Sequence, residues 1–443
     1  MRVVANRLRQ LAIARIFGRR VQSLFRRRTR AELTMRIDAI VIGAGPAGSS
    51  AAILLAQAGW SVVLIEKNRF PRRKVCGECI AASNLGLFDA LGIGSVFDKL
   101  AGPELRTVAL MNREDVILAD LPANADAAHP WGRALGREHL DTLLLTRARQ
   151  LGVTVLQPWT VRSTTGCAGR YRCDAVASDT REQWVLEAPV MIGAYGSWET
   201  APTRRDARRP RALSGDLFAF KANFTGVALA PGVLPILALP GGYGGMVVAD
   251  HGVATLACCI RRDVLGTCRL ETRGKSASVA VERWLKTHCR GVREALHGGI
   301  RTQPWLTVGP IRPGIRLLSE DDGLFLVGNA AGEAHPIIGE GISMAMQSAW
   351  MLCDLLIAHR AASDPRATWR HIHREYARAW HRSFAARIRW SAVFAQLAMR
   401  PQLARGLLPL LMRWPALVTG AARLSGKVRC AIDVKPPITA VRR

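Results

Sequence analysis

The sequence predicts an α/β fold: a Rossmann-like dinucleotide-binding domain, an antiparallel-sheet domain inserted into it, and a helical C-terminal segment. Three observations predict it. An apolar run enters a Gly-x-Gly-x-x-Gly turn at Gly43, and a second glycine-rich strand-to-helix turn follows Gly328. Between them, residues 203–305 hold several strand-like runs not separated by helices.

The first unit is Ile37 to Glu66. Ile37 to Ile42 is a short apolar run of the kind buried in parallel sheets. Gly43-Ala44-Gly45-Pro46-Ala47-Gly48 then opens an alanine- and leucine-rich segment ending at Gly59, and Ser61 to Ile65 delivers Glu66. Gly43 permits the tight turn, Gly45 lets backbone approach a pyrophosphate, and Gly48 lets helix and strand pack closely. The helix start offers unpaired N–H groups and about half a unit of positive charge. Glu66 stands where an acid accepts from a ribose hydroxyl. Gly59 and Glu66-Lys67 interrupt the apolar stretch before the ~20 residues of a membrane span.

The 443 residues allow two or three domains, and the formal charge of +28 raises nucleic acid as a partner. Its distribution argues against that. Residues 1–34 hold ten arginines and one glutamate, and residues 360–443 hold 17 Lys and Arg against three acids, leaving only +5 between. Nucleic-acid enzymes carry the patch on the fold itself. Basic ends with interleaved Leu, Phe and Trp suit an anionic membrane surface, although arginine on ordinary solvated faces gives the same pattern. Residues 1–34 lack the apolar core of a secretory signal; they are a disordered arm or lie upstream of the true start, since Met35 directly precedes the first strand. The ten cysteines lack a framework spacing, which fits a reducing cytosol. Cys76-x-x-Cys79 is a redox pair or two packed thiols, and His371-x-His373 is a surface pair. No spacing predicts a metal site.

Along the chain, Ala81 to Leu100 predicts helices and Thr107 to Leu121 a hairpin belonging to a second sheet. Leucines at helical spacing follow Arg137, and Val153 to Gln157 and Val190 to Ala194 predict strands of the first sheet. Thr203 to Arg211 reads as a charged linker. Leu217 to Phe224, Ile236 to Leu239, Met246 to Asp250 and Val253 to Ile260 predict an antiparallel sheet; Pro235 and Pro240 shorten its second strand, and His251-Gly252 supplies a hairpin turn. Val279 to Leu296 predicts helix. Gly323 to Gly328 is a further buried strand, and after Asn329 to Gly341 a long helix starts at Ile342. One ligand is thus gripped from two distant parts of the chain, the second helix start facing developing negative charge.

GAGPAG with Glu66, Arg137 in R-x-x-L-D-x-x-L, and VGNAAGEAHPIIGEGIS resemble the FAD-dependent oxidoreductases that include aromatic hydroxylases, geranylgeranyl reductases and flavin halogenases. The resemblance spans Ile37 to Leu356. It implies an FAD-binding Rossmann-like domain of residues 35–105, 130–202 and 306–360, and a substrate-binding sheet domain of 106–129 and 203–305, with 361–443 as basic helices. It implies FAD on Gly43, Gly45, Pro46, Ala47, Gly48, Glu66, Lys67, Arg137, Gly328, Asn329, Gly339, Gly341 and Ile342. Glu66 would take the adenosine ribose, Arg137 the phosphate or ribityl side, and Gly339 to Ile342 the pyrimidine end.

Two positions depart from the family. Gly193-Ala194-Tyr195-Gly196 replaces Gly-Ala-Asp-Gly, an aspartate linked to reduced-nicotinamide use, so NADPH or NADH as electron donor is left open. Gly328-Asn329 replaces Gly-Asp; Asn keeps an acceptor while losing charge. The halogenase W-x-W-x-I-P segment is missing. Arg73-Lys74-Val75-Cys76-Gly77-Glu78 resembles geranylgeranyl reductases, yet of their Y-x-W-x-F-P segment only Tyr243 survives. The resemblance therefore implies first a monooxygenase acting on a lipophilic aromatic, polyketide-like or quinone-like substrate. A prenyl double-bond reductase, or a flavin-binding membrane-associated protein without turnover, are the alternatives. His335 and Glu333, in the loop expected to border the ring, are the candidate catalytic residues, as proton relay or substrate anchor; the alternative is that both only bond their own loop. Ser391 to Met399 and Leu403 to Val418 are apolar runs among arginines, too short to span a bilayer; they pack on the core or lie in headgroups. The expected setting is the cytoplasm, peripheral to the inner membrane face.

Overall fold

A parallel sheet carries both glycine-rich turns. The computed structural model describes residues 37–197, 212–316, 324–360 and 365–400, apart from 125 and 127, and scattered positions between 402 and 420. The N-terminal extension 1–34, the linker at 203–211 and much of 403–418 fall outside the described residues.

β1 (Ala39–Ile42), α1 (Pro46–Gln57) and β2 (Val62–Ile65) form the predicted strand–helix–strand unit. Every residue of both strands is buried, which is why the runs are continuously apolar rather than alternating. Helices α2 (Leu85–Ala90) and α3 (Gly94–Leu100) lead to the predicted hairpin, β3 (Thr107–Asn112) and β4 (Asp115–Asp120). Helix α4 (Arg137–Gln150) returns the chain to β5 (Thr154–Leu156).

A feature absent from the sequence reading follows. β6 (Trp159–Cys167), β7 (Arg170–Ala177) and β8 (Gln183–Ala188) make a three-stranded antiparallel sheet. Its inner residues Tyr171, Cys173 and Ala175 pack against Ile40, Ile42, Val63 and Ile65, so it covers the face of the parallel sheet that the helices leave bare. β7 alternates exposed and buried residues almost strictly, the mark of a half-solvated strand.

β9 (Val190–Gly193) comes next. The second sheet is then built from β10 (Leu217–Thr225), β11 (Val233–Leu239), β12 (Gly242–Val248) and β13 (Ala254–Arg261). Helices α5 (Arg262–Glu271), α6 (Ala277–His288) and α7 (Arg290–Ala295) cover one of its faces around Phe220, Leu256 and Trp284. β14 (Leu306–Ile311) pairs with β10, and β15 (Phe325–Leu326) closes the parallel sheet, whose order is β15–β9–β1–β2–β5. The second sheet is not purely antiparallel: β11 runs parallel to β3 from Val233↔Thr107 to Ala238↔Asn112. Nor is β11 short. Its pairing with β12 begins only at Ile236, so Pro235 sits beyond that ladder, where proline is tolerated. The β12–β13 connection is a 3₁₀ turn, Asp250–Gly252, rather than a two-residue hairpin.

α8 (Gly341–Ala358) is long and apolar enough to cross a membrane by composition alone, but most of it is buried against the core. α9 (Pro365–Ala398) runs across both sheets. The run from Ser391 divides: Ala395, Ala398 and Met399 pack on the second sheet, whereas Trp390 and Val393 are exposed. His373 is buried against Phe325 rather than on the surface, and only His371 of that pair is exposed.

Candidate active site

One cleft runs between the parallel sheet and the second sheet. Gly45, Pro46 and Ala47 line it from the first glycine turn, and Gly328, Asn329, Gly339, Gly341 and Ile342 from the second. Gly43 holds φ 102°, and a Cβ there would stand 2.6 Å from Ala194 O; a Cβ on Gly48 would stand 1.9 Å from Gly43 O. A Cβ on Gly45 would meet nothing nearer than Arg137 Nη2 at 3.9 Å, and one on Gly341 would meet nothing within 4 Å. The first two glycines therefore close the turn, and the last two leave space above it. Neither α1 nor α8 has a side-chain cap or an acid in its first turn. Both helix starts keep donors and partial positive charge turned toward the cleft, which suits a dinucleotide pyrophosphate and an electron-rich ring.

Glu66 is buried beneath the first turn. Its Oε1 is taken by the Asn68 N–H at 2.8 Å, Asn68 Nδ2 at 3.1 Å and Arg72 Nη1 at 3.3 Å, while its Oε2 accepts from the Ala44 N–H at 2.9 Å and keeps a lone pair for a ribose hydroxyl. Lys67 is exposed and lies outside the cleft lining. Arg137 is buried and lines the cleft. Asp141 takes both Nε and Nη2 at 2.8 Å, so the guanidinium is fixed with donors to spare for a phosphate. Burial would lower its pKa, but the Asp141 carboxylate outweighs that and raises it. Lys74, also in the lining, is pushed down to about 8 by burial and by the nearby Arg137 and Arg72.

Beside Arg137 lies a group the sequence reading did not assign. Glu78, in a left-handed conformation with φ 60°, is buried and lines the cleft. Its Oε1 accepts from the Arg137 N–H at 2.7 Å and from the buried Lys221 ammonium, and its Oε2 accepts from Thr255 Oγ1 at 2.5 Å. Lys221 lies mid-strand in the apolar run of β10. A charge at that position was the available signal, because an ion there requires a buried partner.

The loop after Gly328 holds Glu333 and His335, the two candidate catalytic residues, in different surroundings. Asn329 Nδ2 donates to Glu333 Oε1 at 3.1 Å, and Arg316 Nη2 lies 3.3 Å from Glu333 Oε2. Both carboxylate oxygens are engaged in holding the turn. His335 donates its backbone N–H to Ser391 Oγ at 2.9 Å, and its Nδ1 lies 3.1 Å from Tyr243 OH. Burial pushes the imidazole down to about 4 and the Tyr243 hydroxyl well above 10, so both are neutral at neutral pH. Both line the cleft where Phe220, Ile236, Met246 and Cys258 make its wall apolar. Tyr195 packs instead with Met191 and Leu324 under the parallel sheet, while its neighbours Ala194 and Gly196 line the cleft. Cys76 and Cys79 line the cleft and form no disulfide.

Lys221→Met leaves Glu78 charged in a site with side-chain exposures of 3% and 1%, and is expected to destabilise the protein by about 3–5 kcal/mol. Adding Glu78→Gln should recover most of that loss. Urea denaturation of the wild type, both single variants and the double variant checks it.

The description "FAD binding domain" matches residues 36–221 of this chain. The menaquinone reductase of Mycolicibacterium smegmatis is 24% identical over 428 residues, covering 89% of this chain and 93% of that protein. A flavin-dependent brominase superimposes with a TM-score of 0.68 at 19% identity, covering 91% of this chain and 96% of its own. A geranylgeranyl bacteriochlorophyll reductase-like protein of Thermoplasma acidophilum superimposes at 0.63 and 18%, covering 87% and 98%. These two structures share the fold. With two open helix starts facing one cleft and a matching FAD domain, the chain is an FAD-dependent oxidoreductase that uses FAD as its cofactor.

Proposed function

We propose that this flavoenzyme is a monooxygenase that hydroxylates a lipophilic aromatic, polyketide-like or quinone-like compound, with NADPH or NADH as electron donor. Bound FAD supplies the electrons and the activation of oxygen. The observation that carries the reading is the neutral Tyr243–His335 pair set in the apolar part of the cleft. A neutral imidazole there accepts a proton from a phenolic or enolic substrate and activates it toward electrophilic oxygen, while the apolar wall excludes water. Glu333, with both oxygens engaged, holds the loop rather than exchanging protons. In wild-type enzyme reacted under ¹⁸O₂ with an alkylphenol or hydroquinone probe, one labelled oxygen should enter the product. His335→Gln should lower kcat by roughly 10²–10⁴ at unchanged flavin content. Because His335 acts as a base with a pKa near 4, the wild-type rate should hold at neutral pH and fall as pH drops through about 4.

A second reading, reduction of a prenyl double bond, is favoured by the length of the match to menaquinone reductase and by Cys76 in the cleft lining. Anaerobic gain of two hydrogens by a prenylated quinone, without oxygen incorporation, would establish it in place of the first.

For the partner, the reading includes an anionic membrane surface on the cytoplasmic side. Trp390, Val393, Leu403, Trp414 and Leu417 are exposed among Arg389, Arg400 and Arg413. On α9, away from Trp390 and Val393, Ala395 and Ala398 cluster with the cleft residues Tyr243 and Ile311, as does Met399 just past the helix end. A lipid-borne substrate would then have a short path from headgroups to cleft. Flavin-loaded protein should float with vesicles containing anionic lipid and float less with neutral ones, and Trp390→Ser should weaken the association.

A further inference from the structure

Away from the cleft, the fold brings together residues more than a hundred positions apart in sequence. His139 stands in the first turn of α4; Asp250 and His251 form the turn between β12 and β13. Asp250 is buried, and its Oδ1 accepts the Gly136 N–H at 2.6 Å, which fixes the carboxylate. Its Oδ2 lies 3.0 Å from His139 Nε2. The exposed His251 ring meets the His139 ring edge-on, with centroids 5.9 Å apart at 76°. One ligand atom from each residue lies within 4.8 Å of the others, and among the described residues this is the one such group. Glu138 Oε1, 3.7 Å from His139 Nε2, adds a second carboxylate at the rim.

We propose that His139, Asp250 and His251 bind a divalent transition-metal ion of the zinc type. Two imidazoles and one carboxylate are the donor set such ions take at about 2.0–2.2 Å, whereas magnesium and calcium prefer oxygen alone. The remaining position faces solvent and is open to water or Glu138. His139 Nε2 and Asp250 Oδ2 already stand 3.0 Å apart, and the third donor comes from the exposed His251. The backbone amide on Asp250 Oδ1 supplies the outer hydrogen bond that orients a ligand carboxylate. His251 occupies a left-handed position, φ 55°, a conformation that histidine adopts more readily than most side chains. The ion would pin the β12–β13 turn to the start of α4, beside Arg137, and so brace the cleft without touching it.

The test uses tag-free, FAD-loaded full-length protein stripped with chelator, then titrated with Zn²⁺ against a chromogenic chelator. The proposal expects one equivalent bound and a thermal midpoint that rises with zinc. It expects affinity to fall roughly tenfold or more in His251→Ala, and likewise in His139→Gln, as ligand loss does. His371→Ala, at an exposed histidine elsewhere, should leave it unchanged. No stoichiometric binding would overturn the proposal. So would equal binding in His251→Ala, or a loss confined to His371→Ala. In each of those cases Asp250 is only a cap for the Gly136 amide.

Discussion

The carboxylate of Glu78 is the constraint on which the rest of the molecule depends. It accepts at once from the Arg137 amide, from Lys221 in the middle of β10 and from Thr255 on β13. Those three donors belong to the start of a helix packed on the parallel sheet and to two strands of the second sheet. Two ions taken out of water recover the cost of desolvation only when geometry and further hydrogen bonds are good, and this carboxylate meets that condition. Its left-handed backbone is strain held in place by the same contacts. The spacing between the two walls of the cleft, one from each sheet, is thus fixed by charge rather than by apolar packing alone.

Within that frame, the two glycine turns and the Tyr243–His335 pair divide the work. The turns present uncapped helix starts, while the pair puts two neutral groups into an apolar wall. For the proposed hydroxylation, neutrality is the useful property. A charged imidazole could not take a proton, and an ionised phenol would repel an electron-rich ring.

Much of this was legible in the sequence. The turn GAGPAG with Glu66, the helix after Arg137 and the strand-to-helix passage at Gly328 are local patterns, each set by backbone demands that few residues meet. What escaped has a common physical cause. The sheet β6–β8 alternates polar and apolar over a solvated face, and its polar half masks its buried half. β11 runs parallel to β3, a non-local pairing that leaves no mark in the strand itself. Arg316 neutralises Glu333 from 17 positions away, and Glu78 and Lys221 meet from 143 apart, so their pairing is invisible along the chain. Tyr195 stands out in the sequence, but its packing against the parallel sheet does not.

The last turn of α9 carries a consequence of its own. The Gly241 N–H donates to Met399 O at 2.9 Å, and Ala395, Ala398 and Met399 pack behind Tyr243. The back wall of the chamber is therefore made by residues that follow both sheets in the chain. A chain cut short before Ala395 would keep both glycine turns while its chamber stood open to water. On the proposed reading, coupling between reductant use and product formation would then depend on that docking.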